Sequence, residues 1–205
     1  MKNIIIGVAG PSGSGKTLFS ELIINEFKNT EVLILRADMY YKDSSHLPYE
    51  KRLVQNYDHP DAVDNDLLVD HIKKLKDNQP IESPIYDFTI HVRKKETTTI
   101  NPCPIIILEG ILLFANDDIL KELDIKIFVD TPLDICLSRK IYRDSIERGR
   151  NLESVIAQYT NFVRPMYFKF IEPSKKHADL IVPRGGKNKM AVQIIQTKIK
   201  TLINK

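Results

Sequence analysis

A chain of 205 residues is about the size of one domain and can bury a full core without disulfide or metal staples. Hydrophobic residues make up 42% and charged residues 28%, an ordinary globular balance that excludes disorder, collagen and coiled coil. The formal net charge of +3 is too weak to argue for a nucleic-acid partner, and no apolar run approaches the ~20 residues of a membrane span.

The start, Met1-Lys2-Asn3-Ile4-Ile5-Ile6-Gly7, lacks the longer apolar region and cleavage site of a signal peptide, so the expected place is the cytoplasm. Ile4–Ala9 then reads as a buried parallel strand. It runs into Gly10-Pro11-Ser12-Gly13-Ser14-Gly15-Lys16-Thr17, which fits G-x-x-x-x-G-K-[ST] without mismatch. A helix carrying Leu18, Leu22, Ile23 and Phe27 on one stripe follows. Strand before and helix after are the context that this phosphate cradle needs. Glycines let the backbone wrap closely so that N–H groups form an anion nest, and the helix N-terminus adds partial positive charge. Lys16 is placed to reach the β- and γ-phosphates, and the Thr17 hydroxyl to ligate Mg²⁺.

A second strand, Val32–Leu35, leads to Asp38, an acid within reach of the cradle and suited to take a proton from an acceptor hydroxyl. A long polar loop from Met39 to Asp64 holds Tyr40, Tyr41, His46, Asn56, Asp58, His59 and Asp61; loops of this length in compact domains are usually functional or disordered, and function is the expectation here. Leu68, Ile72 and Leu75 mark the next helix. Ile85 to Ile100, rich in β-formers around Arg93-Lys94-Lys95-Glu96, reads as a small β-hairpin inserted at about 84–101. The strand Ile105–Leu108 ends in Glu109-Gly110. An acid just past the carboxyl end of a buried strand lies where open α/β sheets bind ligands, so Glu109 is assigned to Mg²⁺, directly or through a water.

After the strand Ile125–Val129, Thr131-Pro132-Leu133-Asp134 supplies an N-cap hydroxyl, a proline at the first helical position and an acid in the first turn. The helix then carries Arg139, Lys140, Arg143, Arg148 and Arg150 around Gly149. This segment, about 139–150, reads either as a mobile cationic lid or as a salt-bridged solvent helix in which Asp144 and Glu147 pair locally. Leu152, Val155, Ile156, Tyr159, Phe162 and Val163 form another stripe, Leu180–Val182 a last strand, and Ile194, Ile195, Ile199 and Leu202 a closing helix. Arg184 to Lys205 holds six basic residues and no acid, read as a solvated helix face. Cys103 and Cys136 have no metal-ligand spacing with the histidines and read as buried small hydrophobes. Strands alternating with helices predict right-handed crossovers in one open sheet with helices on both faces.

A regulatory GTPase is disfavoured: the nearest string to N-K-x-D is Asn188-Lys189-Met190-Ala191, and Asp130-Thr131-Pro132-Leu133 has no switch glycine. Small-molecule kinases need an acid near the γ-phosphate and mobile cations over it, and both are here. Beyond the cradle, the chain resembles the uridine–cytidine kinases, the bacterial members above all, from about Ile4 to Lys189. The strings that carry the likeness are Asp38-Met39-Tyr40-Tyr41-Lys42-Asp43, Asn56-Tyr57-Asp58-His59-Pro60, Tyr86-Asp87-Phe88 with His91, Glu109-Gly110, Arg143-Asp144, Glu147-Arg148-Gly149-Arg150 and Val182-Pro183-Arg184-Gly185.

The resemblance implies one P-loop NTPase-type domain over 1–205, a three-layer α/β/α architecture with a central parallel sheet, the inserted hairpin and a helical lid. It implies transfer of the γ-phosphoryl of ATP or GTP, with Mg²⁺, to the 5′-hydroxyl of uridine or cytidine, in pyrimidine salvage. In that family the acid matching Asp38 is the general base, with Tyr41 in the acceptor pocket. Asp58 matches the carboxylate on the ribose hydroxyls, and Arg150 and Gln158 match further nucleoside contacts. Gln158 shares a polar helix face with Asn151 and Ser154, opposite the apolar stripe. Tyr86 and His91 match the base-reading pair; being five apart, they would point to opposite faces of a regular strand, so the backbone must turn or bulge between them. Tyr57 and Phe88 would give aromatic walls, and Arg143 and Arg148 would meet the nucleotide phosphates. Many relatives carry Arg where Lys140 stands, so Lys140 is left outside the expected site. A homotetramer is implied by the likeness alone. The rival readings are a related kinase acting on ribulose phosphate or pantothenate, and a nucleotide-gated binding module that hydrolyses slowly.

Overall fold

The computed structural model describes residues 3–204. Five Ile- and Val-rich runs form one parallel sheet: β1 (Ile4–Ala9), β2 (Val32–Arg36), β5 (Ile105–Glu109), β6 (Ile125–Asp130) and β7 (Leu180–Pro183), in the order β2-β5-β1-β6-β7. Ile5 sits beside Ile106 and Leu33 beside Ile106 in turn, while Val8 sits beside Ile127. Side chains alternate across the pleat, so neighbouring residues feed opposite cores. Ile5, Ile106 and Phe128 join Leu68, Ile72 and Leu75 of α3 (Asn65–Lys76) on one face. Ile6, Ile107 and Ile127 join Phe19 and Ile23 of α1 (Lys16–Ile24) on the other, with Ile195 and Ile199 of the last helix (Lys189–Ile203). This is the three-layer α/β/α arrangement that alternating strands and helices predict.

The remaining helices are short or frame the cleft. α2 (Tyr49–Leu53) lies in the long loop, α4 (Asp117–Glu122) covers one face, and α5 (Leu133–Ile146) carries the cationic run. α6 (Leu152–Gln158) starts on Asn151, whose side chain accepts from Ser154 N at 2.7 Å. The chain winds on through π-turns at Tyr159–Val163 and Tyr167–Ile171. A separate antiparallel pair, β3 (Ile81–Asp87) and β4 (Val92–Ile100), stands beside the sheet. It begins before residue 84 because Ile81 pairs with Ile100 and buries its side chain.

Tertiary packing changes several local expectations. α5 begins at Leu133 with Pro132 in the cap position and no side-chain cap; the Thr131 hydroxyl donates instead to Ser14 O at 2.9 Å, tying this turn to the glycine loop. Leu18 is 45% exposed, because Phe19 and Ile23 face the sheet one helical step away. On α6, Val155 is buried while Leu152 and Ile156 are exposed, and Gln158, on the polar face, is buried as well. Ile194 is 55% exposed, its expected place taken by Gln196, whose amide donates to Leu22 O at 3.0 Å. β7 is an edge strand, so Leu180 and Ile181 are exposed. Cys103 and Cys136 are both buried, and Lys189, Lys198 and Lys200 are exposed. Lys205 lies outside the described residues. Among the described residues no helix is long and apolar enough to cross a membrane.

Candidate active site

β1 delivers the chain to Gly10, and α1 opens at Lys16, so the glycine loop wraps the carboxyl end of a central strand. Gly13 sits at φ +82°, and a Cβ there would lie 2.3 Å from Cys136 O; only glycine permits this approach. Arg139 locks the loop from outside, its Nη1 donating to Gly13 O and Ser14 O, each at 3.2 Å. Lys16 Nζ donates to Pro11 O at 3.1 Å. Burial pulls the Lys16 ammonium below its ordinary range, against the opposing pull of Glu109 and Asp38.

β2 ends in a tight turn over Ala37–Tyr40 that carries Asp38, and β5 ends on Glu109. Thr17 Oγ1 donates to Glu109 Oε1 at 2.8 Å. Three polar atoms here are sealed from solvent without a partner: Ser14 Oγ, Asp38 Oδ1 and Glu109 Oε2. Buried polar atoms normally have partners, so orphans beside a lysine mark a place built for something absent from the chain. Burial raises the carboxyl pKa of both Asp38 and Glu109, with Lys16 as the strongest opposing charge on each. Among the described residues no group of three or more His, Cys, Asp or Glu could hold a metal. A hydroxyl and one carboxylate of hard oxygen nonetheless suit Mg²⁺, which usually completes its octahedron with waters and substrate phosphates.

The long loop and the hairpin build the other end of the cleft. Arg93 of β4 fastens the loop: Nη2 and Nε donate to Tyr40 O and Tyr41 O, each at 2.9 Å, and Nη1 to Asp64 Oδ2 at 3.0 Å. Tyr41 meets Tyr57 and Tyr86 edge-on, with ring centroids 5.3 Å apart in each case. Tyr57 stacks on His91 at 4.9 Å, and Tyr86 meets Phe88 at 5.1 Å. The spacing problem between Tyr86 and His91 is solved by the backbone. The ladder shifts register between Pro84 and Tyr86, and His91 lies in the left-handed region at φ +54°. Both side chains are thereby buried on the cleft, the Tyr86 hydroxyl beside Tyr57. Burial, helped by Arg150, Arg148 and Arg52, pushes His91 down to about 4, so its imidazole is neutral at physiological pH. Asp58 is buried too, which raises its pKa against the pull of Lys140.

The third wall is the cationic segment. Arg150 donates to Gln158 Oε1 at 2.6 Å and to Ser154 Oγ at 2.8 Å. Arg148 lies over the Phe88 ring at 5.0 Å. Asp144 is 0% exposed and binds Lys140, Arg143 and Arg148. Of the two acids expected to pair locally on a solvent helix, Asp144 does so, but in the interior, while Glu147 lines the cavity. A single cavity of about 660 Å³ joins the three walls, within the usual range for small-ligand sites. Ser12, Gly13, Gly15, Lys16 and Thr17 line it with Asp38 and Glu109 at one end. Tyr41, Tyr57, Asp58, Tyr86, Phe88 and His91 line the other, and Arg143, Arg148, Arg150 and Gln158 close it. Gly10, Pro11 and Ser14 stand behind that lining. Lys140, left outside the expected site, lines the cavity as well; Asp144 was expected to pair on a solvent helix rather than in the interior, and the loop-locking role of Arg139 was not expected. The i,i+4 spacing of 140, 144 and 148 is the trace of this cluster in the sequence.

Comparison with known proteins adds to this geometry. The family model of the phosphoribulokinase/uridine kinase family matches residues 5–191. A uridine kinase of Anoxybacillus flavithermus is 52% identical over 98% of this chain and 96% of its own length. One from Bacillus mycoides is 52% identical over 98% and 95%. Among solved structures, that of a possible uridine kinase from Bacillus stearothermophilus superposes with a TM-score of 0.62, covering 89% of each chain at 17% identity, a likeness of fold.

Proposed function

The chain belongs to the phosphoribulokinase/uridine kinase family, and from that premise we propose that it is a phosphotransferase acting on uridine, and on cytidine by the same contacts. The product is the nucleoside 5′-monophosphate, made with ATP or GTP as donor. The observation that carries the reading is the far end of the cavity. Tyr86 and His91 bring a buried phenol and a neutral imidazole to one aromatic-walled pocket opposite the glycine loop. A planar base with polar edges fits such a pocket, and ribulose phosphate or pantothenate has no ring to place there. A neutral imidazole donates from one nitrogen and accepts at the other, which suits uracil O4 or the cytosine amino group alike.

In this reading the amides of Gly10–Thr17 and the Lys16 ammonium hold the donor's β- and γ-phosphates. Thr17 and Glu109 would hold Mg²⁺, which when bound would supply positive charge beside the phosphate oxygens. Asp58 accepts hydrogen bonds from both ribose hydroxyls, with Arg150 and Gln158 beside it, so a deoxyribose loses one bond. Tyr41, Tyr57 and Phe88 keep the acceptor in place. Asp38 takes the 5′-hydroxyl proton as the oxygen attacks in line, while Arg143 and Arg148 meet the charge spread over the transferring group. Closure of segment 139–150 excludes water that would otherwise hydrolyse the donor. A cytoplasmic homotetramer in pyrimidine salvage is the expected setting.

The test is steady-state kinetics with uridine, cytidine, deoxycytidine, adenosine, ribulose phosphate and pantothenate, each with ATP and with GTP. Uridine must stimulate release of the nucleoside diphosphate strongly and the non-nucleosides poorly. Preference for a non-nucleoside points to the related-kinase reading, and no stimulation by any acceptor points to a binding module. Light scattering after gel filtration checks the tetramer.

A further inference from the structure

We propose that Asp144 is a positioning residue for phosphoryl transfer, its buried carboxylate setting Lys140, Arg143 and Arg148 at the places from which they meet the reactants. This rests on the kinase reading above and adds a residue to it. Asp144 touches no part of the predicted reactants: it does not line the cavity. It lies directly behind the cations that do. Oδ2 accepts from Lys140 Nζ at 2.6 Å. Oδ1 accepts from Arg143 Nε at 2.9 Å, and Arg143 Nη2 and Arg148 Nη1 approach it at 2.9 and 3.5 Å.

Helix periodicity explains the convergence. Lys140 and Asp144, four apart, share one face of α5 with Arg143 beside them, and the turn just past the helix end at Ile146 brings Arg148 back to the same carboxylate. The main chain joins in: Arg150 N donates to Asp144 O at 3.0 Å, so the turn through Gly149 is anchored on the same residue. Asp144 thus holds the lid turn as well as its cations.

The directions in which these cations act are equally specific. Lys140 is the strongest opposing charge on buried Asp58, at the acceptor end. Arg143 and Arg148 both act on Asp38, and Arg143 also acts on Lys16, at the transfer end. Burial alone would raise the Asp144 pKa, but Lys140 and Arg143 outweigh it and hold the group ionised. Three cations against one carboxylate leave surplus positive charge facing the cavity. Arg143 and Arg148 repel one another, and among the described residues Asp144 is the carboxylate that pairs with both. Preorganised charge works because it is in place before the transition state forms.

A bond network of this kind could also serve only to hold the end of α5, and the experiment separates the two roles. Asp144→Asn keeps the shape and removes the charge. It is measured in the full chain for kcat, for affinity of a fluorescent ATP analogue, and for Tm, alone and combined with Arg143→Ala. The expected result is a kcat loss of about 10- to 100-fold for Asp144→Asn, and a clearly smaller further loss in the Arg143→Ala background, where only Lys140 and Arg148 are left to displace. Equal losses in both backgrounds overturn the proposal, as does a kcat within about twofold of the parent. If Asp144→Asn does not fold, Lys140→Met with Asp144→Asn removes the stranded ammonium, and the same cycle is run from Lys140→Met. The parent chain carries the other question: failure to phosphorylate uridine there strikes the functional reading. The Asp144 cycle is then read with whichever hydroxyl acceptor the parent uses.

Discussion

Asp38→Asn should lower activity and raise stability together. The amide is isosteric, so the turn over Ala37–Tyr40 keeps its shape while the proton acceptor is lost. General-base catalysis contributes about 10²- to 10⁴-fold, or about 3–5 kcal/mol of barrier, and kcat should fall by that order with uridine KM little changed. The stability effect has the opposite sign. Burial raises the pKa of Asp38 above its ordinary 3.8, and Lys16, Arg36, Arg148 and Arg143 only partly oppose it. A folded-state pKa above the unfolded one means that the native protein binds this proton more tightly. Its contribution is fully present below 3.8 and is lost as pH rises through the raised value. At neutral pH the ionised carboxylate is therefore a net cost, and the amide removes it. The assay pairs steady-state kcat with Tm at pH 7 and at stepwise lower pH. The Asn variant should melt higher at pH 7, by a margin that narrows as the medium is acidified. A kcat within about threefold of the parent would remove Asp38 from the mechanism, and a lower Tm would refute the reasoning about its burial.

Glu109→Gln should weaken Mg²⁺ dependence specifically, raising the metal concentration for half-maximal rate by about tenfold while saturating metal restores much of kcat. Two glycines should part company. Gly13→Ala drives a Cβ to within 2.3 Å of Cys136 O and should abolish binding of a fluorescent ATP analogue. Gly149→Ala, at φ +64° with nothing within 4 Å of its Cβ, should cost only about 1–2 kcal/mol, read by urea unfolding. His91, held near 4, should show no NMR titration between about pH 5 and 8. Because its folded pKa lies below the unfolded 6.5, its contribution to stability should fall as pH drops from 6.5 towards 4 and level off below.

What was legible in the sequence is what local rules determine. Ile4–Ala9 and Ile105–Leu108 are apolar throughout because both faces of their strands are covered, and no neighbour is needed to read that. The glycine loop is likewise a local string between a strand and a helix. The positions that changed their reading are those where burial is decided by a distant segment. Gln158 lies opposite the apolar stripe of its own helix, yet it is buried, because Arg150, before that helix, donates to its Oε1 within the cleft. Thr131 resembles a cap until Ser14, far away in sequence, offers a carbonyl.

Tyr86 and His91 illustrate the intermediate case. Their spacing demands a backbone departure, and the structure supplies two, a register shift and a left-handed histidine. Strain of that kind persists only where the surroundings fix it. Here Ser44 Oγ donates to His91 O at 3.2 Å and Tyr57 stacks on the ring. Asp144 is the limiting case. Lys140, Asp144 and Arg148 obey the same i,i+4 rule as any exposed ion-pair ladder, and only the packing of α6 against α5 tells the two apart. On a solvent face such pairs are worth little, because water screens them. Gathered on a carboxylate buried behind the cleft, they set where charge stands, so one short string is ornament in one setting and machinery in the other.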